Sequence, residues 1–391
     1  MKKKYITFSI VTLVLLVALI TSFNYFKTTN NYFEDNTSNP TKITKGISMN
    51  LEQTAGAGDY KTVTQSSWPT EGYKFNAELS SCENGSTLSW DDTKKAVIMQ
   101  GNVSDKCYVY FDIWIPSIAD YCSSGTDLAT CVKNFGNQGP DISNIYIHNS
   151  SLTNGAGDNS YRYAGASDSV NNYICLGSDE ATCPDANLFR IIGVFGDKTK
   201  VIRAKSVGGQ KWNTSPSSNT WSSSSLNTYL NGTYLNSLGT IADKIATTTW
   251  KVGGGTFANI LRSVPKTAYQ YEVGSSASST TVNKKIGLMY VSDYYYSASP
   301  SAWTLVGYNS SDATKDYRAA KTTNWLFLGS SEWTISRRSD DTNDAFIVSS
   351  AGLVGPNNVP ISFGVRPSFN LEASVKYVSG SGSMSDPVRV N

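Results

Sequence analysis

The hydrophobic pattern first picks out an uncharged run near the N-terminus. It covers Tyr5 to Phe26 and directly follows Lys2, Lys3 and Lys4. At about 1.5 Å per residue, a helix of this length crosses a hydrocarbon core of roughly 30 Å. The lysines then remain in the cytoplasm and the rest of the chain lies outside. The pattern predicts a transmembrane signal-anchor over residues 1–26. The alternative is a cleaved signal peptide and a secreted protein, although the run is longer than a usual signal-peptide core.

Two segments of different composition follow the apolar run. Residues 27–46 are polar, contain Pro40 and are predicted to form a flexible stalk. Residues 47–115 then carry strand patterns at Ser86 to Trp90, Ala96 to Gly101 and Cys107 to Ile113. These runs predict a small β-domain over 47–115.

Helix signals characterise the next segment, residues 116–160. Thr126 is a suitable N-cap, Gly136 is a suitable stop, and Leu128, Val132 and Phe135 fall on one side between them. Polar loops follow, so this segment is predicted to be a helical connector with loops.

The remainder, residues 161–391, mixes short strands with helices. Leu188 to Val207 predicts a hairpin, because Gly196 and Asp197 mark a turn between two apolar runs. Leucines and tyrosines recur at helical spacing between Leu226 and Leu238 behind a serine cap. Taken together, the chain is predicted to be of the α+β class, with irregular short strands and two or more helices in this C-terminal domain.

The amino-acid composition indicates the environment in which the protein works. Charged residues make up 16% of the 391 residues, and the formal net charge is +2. The charged fraction is low for a soluble protein, and the lysines and arginines form no basic stripe. This favours an extracellular β-rich protein and argues against nucleic acid as a partner.

The number and spacing of the cysteines are consistent with an exported protein. There are six, in three close pairs along the chain: Cys82 with Cys107, Cys122 with Cys131, and Cys175 with Cys183. The sequence alone does not fix the connectivity, but pairing in sequence order is the simplest solution. Zinc is not favoured, because the cysteines lack clustered spacing and His148 is the only histidine.

A family resemblance rests on motifs in the C-terminal half, read in order: "NLFRIIGVFGDKTKVIRA", "KIGLMYVSDYYYSASPSAW", "WLFLGSSEWTISRRSDDTNDAFIVSSAG" and "FGVRPSFNL". They resemble an uncharacterised bacterial surface-domain family, seen mainly in Firmicutes and akin to the C-type-lectin-like fold of the formylglycine-generating-enzyme group. The resemblance covers roughly residues 171–391, and it implies a C-type-lectin-like domain over 161–391.

The same resemblance marks Trp333, Arg337, Gly364 and Arg366 as residues of the fold signature. It does not extend to the enzymes' cysteine chemistry, because no cysteine follows Cys183. One fold hosts many functions, so the resemblance implies little about activity.

The segment "EWTISRRSDDTNDAF" is the densest group of charges. Strand alternation sends Arg337 and Arg338 to opposite faces, so one is expected to turn inward. Either Arg337 shares the inner face with Trp333 and Ile335, or the register is reversed near the end of the strand. A buried guanidinium needs a carboxylate, and Asp340, Asp341 or Asp344 is placed to supply it. The alternative is a calcium site built from the same three aspartates. No other cofactor is predicted, and Arg366 has the same need for a partner as Arg337.

Single residues complete the candidate chemistry. His148 has no partner motif and is predicted to be a surface residue, and no catalytic residue is assigned. Large aromatics near polar loops are expected mainly to fill gaps in an irregular fold. The alternative is exposure, where an indole ring can stack on a sugar, and Trp303 and Trp325 are the best candidates for it.

The sequence therefore predicts a single-pass cell-surface protein whose C-terminal domain binds a glycan or a protein without catalysis. The alternative is a structural or assembly component of the cell envelope without a small ligand. An enzyme related to the formylglycine-generating enzymes is the least favoured class, and the oligomeric state is not predicted.

Overall fold

The computed structural model describes residues 46–64, 67–69, 71–102 and 104–391, together with a short strand pair, β1 (Phe33–Glu34) and β2 (Pro40–Thr41). The predicted signal-anchor, residues 1–26, and most of the predicted stalk lie outside the described residues. Within the described ranges, no helix is both long enough and apolar enough to cross a membrane. The chain divides into two compact units, with the division between Ile115 and Pro116.

The predicted fold class is wrong. The chain is a mixed, sheet-rich fold with 20% helix and 32% strand, in place of an α+β protein with a C-type-lectin-like domain. The helix predicted between Leu226 and Leu238 is nevertheless present. The backbone is helical from Ser225 to Ser237, with a π-helical turn at Leu230–Tyr234, where the Asn231 side chain bonds to the backbone of Ile286 in addition to Asn227.

The first unit is built from six further strands. A four-stranded sheet has the order β4-β3-β8-β5, in which β3 and β8 run parallel, and β6 and β7 form a separate hairpin. Their bounds are β3 Ile47–Glu52, β4 Tyr60–Val63, β5 Tyr73–Cys82, β6 Thr87–Asp91, β7 Ala96–Gln100 and β8 Cys107–Ile113.

Alternation along β8 explains how this unit makes a core. Cys107, Val109 and Phe111 are buried, while the residues between them are half-buried. The disulfide between Cys82 and Cys107 joins β5 to β8 where these residues are register partners. A small β-unit with few buried side chains gains stability from such a covalent link.

The second unit contains two larger sheets and one hairpin. The nine-stranded sheet follows the order β17-β22-β13-β12-β11-β24-β23, and β10 joins it through β12 and carries β9. Its strands are β9 Ile145–Ile147, β10 Tyr161–Tyr163, β11 Tyr173–Cys175, β12 Leu188–Phe195, β13 Lys198–Arg203, β17 Ile286–Gly287, β22 Ser368–Asn370, β23 Tyr377–Ser379 and β24 Val388–Val390.

The five-stranded sheet has the order β14-β21-β18-β19-β20, and β15 pairs with β16 alone. These strands are β14 Gly209–Lys211, β15 Thr248–Lys251, β16 Thr281–Lys284, β18 Glu332–Arg337, β19 Asp344–Val348, β20 Val354–Asn358 and β21 Ser362–Gly364.

Short helices connect and cover the sheets. The α-helices are α1 Leu128–Gly136, α2 Pro140–Ser143, α3 Ser225–Tyr229, α4 Leu235–Ser237, α5 Phe257–Leu261, α6 Pro265–Glu272 and α7 Val291–Tyr296. Single 3-10 turns lie at Ile118–Tyr121, Trp221–Ser223, Gly239–Lys244, Pro300–Thr304, Ala313–Lys315 and Lys321–Thr323.

The predicted hairpin forms as β12 and β13, with Gly196 in the turn at a φ of 66°. A bulge lies between Ile191 and Gly193, and β10 pairs with β12 there. A Cβ on Gly193 would lie 2.2 Å from the carbonyl oxygen of Tyr161, so only glycine fits this approach.

Residues 116–160, predicted as a connector, are part of the second unit. Leu128, Val132 and Phe135 of α1 pack into the same hydrophobic core as β12, and β9 pairs with β10. The disulfide between Cys122 and Cys131 joins the first 3-10 turn to α1.

A buried ion pair connects β18 to the segment after β21. Arg366 donates from Nε and Nη2 to the two carboxylate oxygens of Glu332, at 2.8 and 2.7 Å, and both side chains are almost fully buried. Burial raises the pKa of the Glu332 carboxyl, and the guanidinium opposes that rise. Two parallel bonds satisfy both charges where water is excluded.

Replacing Arg366 with Leu should lower the free energy of unfolding by about 3–5 kcal/mol, because Glu332 is left buried without its partner. Urea unfolding of the full chain measures the change. The matched control is Lys205→Ala, which breaks an exposed pair with Asp185 and should leave stability nearly unchanged. Equal effects of the two substitutions would show that the buried pair does not stabilise the fold.

Candidate functional site

The acidic loop between β18 and β19 holds the charges that the sequence singles out. Both faces of β18 are buried from Glu332 to Ser336, and the register is irregular between Trp333 and Arg337. Arg337 is half-buried and donates from Nε to the carbonyl oxygen of Gly253 at 2.9 Å. The ion pairs of this loop do not involve Arg337, so the alternative in which Arg337 meets the carboxylates is not the one observed.

Arg338 is the arginine that holds the loop. Its guanidinium lies 3.0 Å from Asp340, 3.5 Å from Asp341 and 3.3 Å from Asp344, measured from nitrogen to carboxylate oxygen. The Asn219 side-chain amide donates to the carbonyl oxygens of Arg338, Asp341 and Asp344 at 2.7 to 2.8 Å. The three predicted aspartates therefore surround a guanidinium, and the loop carbonyls converge on an amide.

The carboxyl groups of this loop differ in proton affinity. Burial raises the pKa of Asp340, but bonds from Arg338 and the Phe257 backbone amide more than offset this and lower it. Burial and the neighbouring charge of Asp341 raise the pKa of Asp344. In the described part of the chain, no group of three His, Cys, Asp or Glu side chains is arranged to hold a metal ion.

The two tryptophans named as candidates for ligand binding are buried, as the gap-filling alternative has it. Trp303 is 1% exposed and Trp325 is 0% exposed. Each indole N–H donates to a backbone carbonyl, of Ala298 at 3.0 Å and of Tyr163 at 2.9 Å respectively. Because the polar edge of each ring is satisfied inside the protein, the whole side chain can be buried, and neither ring is available to a ligand in solvent.

His148 is also buried, which corrects the prediction of a surface residue. Its Nδ1 accepts a hydrogen bond from the Ala156 backbone amide at 3.0 Å, and its ring packs against Tyr296 and Trp303. Burial, with the nearby charge of Arg162, lowers the pKa of His148 to about 2. The imidazole is therefore neutral in the folded protein.

A cluster of ionisable side chains that the sequence did not flag lies between β13 and α7. Lys200 Nζ is 2.5 Å from Asp293 Oδ2, and the two residues are 5% and 3% exposed. Glu272, at the end of α6, accepts hydrogen bonds from the backbone amides of Val291 and Ser292 at 2.9 and 2.8 Å. Burial lowers the pKa of Lys200 and raises that of Glu272.

Arg162 and Asp158 extend this cluster towards His148. Arg162 Nη2 lies 2.6 Å from Asp158 Oδ2, which also accepts a hydrogen bond from the Tyr269 hydroxyl at 2.9 Å. The guanidinium is further enclosed by the rings of Phe195, Tyr269 and Tyr296, at 4.7 to 5.2 Å from their centroids. Arg162 and Asp158 thus neutralise each other within an aromatic pocket.

The sequence contained a signal for one member of this cluster. Lys200 directly precedes the apolar pair Val201 and Ile202 of β13, and a lysine inside a strand that is buried on both faces requires an acceptor. Its acceptor, Asp293, is 93 residues away along the chain. No local pattern relates the two positions.

A surface cleft of about 700 Å³ lies beside the loop closed by the disulfide between Cys175 and Cys183. Arg389 supports this loop by donating to the carbonyl oxygens of Ser178 and Glu180, each at 2.8 Å. Charged residues on the cleft wall include Asp179, Glu180, Lys244 and Asp386. The three disulfides join the cysteine pairs in sequence order, so the simplest predicted pairing is confirmed.

Comparison with protein families gives one match. Residues 196–373 match the model of a family described as Domain of unknown function (DUF6273). No curated protein and no solved structure matches the chain. The matched region contains the acidic loop, Lys200, Glu272 and Asp293, and most of the range of the predicted resemblance. A relation to C-type lectins or to formylglycine-generating enzymes receives no support.

The buried imidazole predicts an acid-dependent loss of stability. His148 is neutral when folded and takes a proton when unfolded, so its contribution is present above about pH 6.5 and is lost as the pH falls. Between pH 7 and pH 5 this site should cost about 2 kcal/mol of unfolding free energy. Urea unfolding at both pH values should show a smaller loss for His148→Gln. Equal losses would contradict a neutral, buried His148.

The acidic loop predicts independence from calcium. The thermal midpoint of the wild-type protein should be the same in millimolar calcium and in EDTA, because Arg338 already neutralises the aspartates. Asp340→Asn should lower stability by about 0.5–1.5 kcal/mol in both buffers, since it weakens the charge-assisted hydrogen bond from Arg338. Asp197→Asn, in the exposed β12–β13 turn, is the charge-matched control. A calcium-induced rise in midpoint that Asp340→Asn abolishes would restore the calcium alternative.

Proposed function

We propose that the chain is a cell-surface protein anchored by its N-terminal apolar segment, with the bulk of the chain outside the cell. The segment Tyr5 to Phe26 and the preceding lysines support this location. The three disulfides agree with it, because such bonds persist in oxidising extracellular compartments.

Within that setting, the second unit binds an extracellular ligand without catalysis. The observation that carries this proposal is the polar cleft beside the Cys175–Cys183 loop. A disulfide and the hydrogen bonds of Arg389 fix the backbone of its wall. A wall that is already ordered loses little conformational entropy when a ligand binds.

The chemistry of the cleft indicates the kind of ligand. Asp179, Glu180 and Asp386 are exposed carboxylates on its wall, and Lys244 adds an ammonium group. Carboxylates accept hydrogen bonds from sugar hydroxyls and from the cationic side chains of proteins. No aromatic side chain belongs to the described lining, so a protein segment with basic side chains is the better fit than a stacked glycan.

The buried ionisable groups support binding over catalysis. Lys200, Glu272 and Asp293 are each at most 5% exposed and face partners inside the unit. A substrate entering from solvent does not reach them in this conformation. The accessible polar groups of the cleft are instead suited to recognition.

Binding can be tested with the detergent-solubilised full chain on arrays of basic peptides and of cell-wall glycans. We expect binding to basic peptides, and the double substitution Asp179→Asn, Glu180→Gln should weaken it by at least about tenfold, since each lost charge-assisted bond contributes about 1.5–3 kcal/mol. The control Asp197→Asn removes a carboxylate far from the cleft lining and should leave the Kd unchanged.

Other outcomes distinguish the alternatives. Binding to glycans only, with the same sensitivity to the two substitutions, would assign a carbohydrate ligand to the cleft. No binding to either array would favour a structural or assembly component of the envelope. Binding that the cleft substitutions do not weaken would place the site elsewhere.

A further inference from the structure

The closest charged contact in the core of the second unit joins β13 to α7. Lys200 Nζ lies 2.5 Å from Asp293 Oδ2, and both residues are almost completely shielded from solvent. Oδ2 is bonded directly to Cγ, so the amine nitrogen already lies beside a carboxyl carbon. Among the described residues, no other ion pair between a lysine and a carboxylate has both of its side chains buried.

Lys200 Nζ is surrounded by aromatic rings and has few hydrogen-bond acceptors. Nζ lies 4.7, 5.4 and 5.6 Å from the ring centroids of Tyr290, Trp250 and Phe195. An ammonium carries three donors, but within the described chain Nζ has a hydrogen bond only to Asp293. An amide nitrogen carries one hydrogen and avoids the cost of a buried charge.

The carboxyl group of Asp293 is also held in position. Its Oδ2 accepts a hydrogen bond from the Tyr290 backbone amide at 2.8 Å. That donor points at an oxygen that would become an amide carbonyl, and it would polarise the C–O bond during attack. Backbone donors placed in this way stabilise the negative charge of a tetrahedral intermediate.

A second carboxyl group adjoins this pair. The Tyr290 N–H donates a hydrogen bond to Asp293, and the next two backbone amides, of Val291 and Ser292, donate to Glu272. The two carboxyl groups therefore occupy consecutive donors at the start of α7. Glu272 also interacts electrostatically with Lys200. Glu272 is thus a proton acceptor within the same dry compartment.

We propose that Lys200 and Asp293 condense to form an intramolecular isopeptide bond, with Glu272 carrying the proton. The neutral ε-amine attacks Cγ of the protonated Asp293 carboxyl and forms the N–C bond. Glu272 takes a proton from the attacking nitrogen and returns it to Oδ1, which leaves as water when the C–O bond breaks. One amide and one water replace one amine and one carboxylic acid, so the reaction needs no oxidant and no co-substrate.

The electrostatics of the compartment favour this step. Burial lowers the pKa of the Lys200 ammonium, which increases the share of the nucleophilic amine. Burial raises the pKa of Glu272, which makes its carboxylate a stronger proton acceptor. Fixing the two reacting groups in contact supplies an effective concentration of about 10⁵ M or more. Exclusion of water also protects the amide from hydrolysis.

The bond would connect two elements far apart in sequence. β13 lies in the middle of the nine-stranded sheet, whereas α7 packs against β18 and β19 of the other sheet. The link would close a loop of 93 residues between Lys200 and Asp293. It would also remove a lysine and an aspartate charge from the core while Arg162 keeps Asp158 as its partner.

Peptide mass spectrometry of the wild-type full chain tests the bond directly, after denaturation, reduction and alkylation. Trypsin does not cleave after a lysine whose amine is in an amide. We therefore expect a branched peptide in which 199–203 is joined to 286–315, lighter than the two peptides together by one water. Recovery of free 199–200 and 201–203 together with unlinked 286–315, and no branched species, would overturn the proposal and leave a buried ion pair.

Two variants separate the chemistry from the fold. Lys200→Arg keeps the positive charge beside Asp293 but removes the nucleophile, so its intact mass should differ from that of the wild type by the substitution plus one water. Glu272→Gln keeps both reacting residues and should yield a folded protein, checked by circular dichroism, with the branched peptide lost. The control Glu372→Gln, an exposed site, should retain it. A branched peptide at wild-type yield in Glu272→Gln would overturn the assigned role of Glu272.

Discussion

The stability of the second unit depends on ion pairs between the cationic side chains in its core and carboxylates. Arg162 and Arg366 are each 2% exposed, and Lys200, before it condenses with Asp293, is 5% exposed. An uncompensated buried charge costs about 3–5 kcal/mol, a large part of the roughly 5–15 kcal/mol that separates a folded domain from its unfolded chain. Each cation therefore fixes the position of an acceptor on another element. The partners are the loop before β10 for Arg162, the start of α7 for Lys200, and β18 for Arg366.

The large aromatic side chains are also held by polar contacts, here between neutral groups. Trp212, Trp303, Trp325 and Trp333 donate their indole N–H groups to backbone carbonyls, at 2.9 to 3.0 Å. Carbonyls that short strands and turns leave free thus obtain donors. A unit with many loops can in this way bury its backbone without long helices or a continuous ladder of hydrogen bonds.

Local features were predictable from the sequence because neighbouring residues decide them. The pairing of the cysteines, the turn at Gly196 and Asp197, and the strand at Cys107 to Ile113 are all present. The charge cluster at 337–344 is predictable as a salt-bridged loop, but which arginine it surrounds is not. Alternation holds only for a regular strand, and the register of β18 is irregular after Trp333, where Arg338 is the central cation.

Features that depend on distant residues were not predictable. Nothing near Arg366 indicates Glu332, and nothing near His148 or Trp303 indicates that their faces would be covered by Tyr296. The fold class failed for the same reason, because the arrangement of the sheets is decided by pairings such as β11 with β24. Patterns in a single sequence indicate where strands form, whereas the order of the strands in a sheet depends on contacts across the whole unit.

The order of the cysteines has a consequence for how the protein is made. The disulfides span 25, 9 and 8 residues, and none encloses a cysteine of another pair. If the chain is exported N-terminus first into an oxidising compartment, as proposed above, Cys82 and Cys107 are both present before Cys122 appears, and each later pair is completed before the next begins. Oxidation in the order of emergence would then yield the native bonds with little disulfide isomerisation.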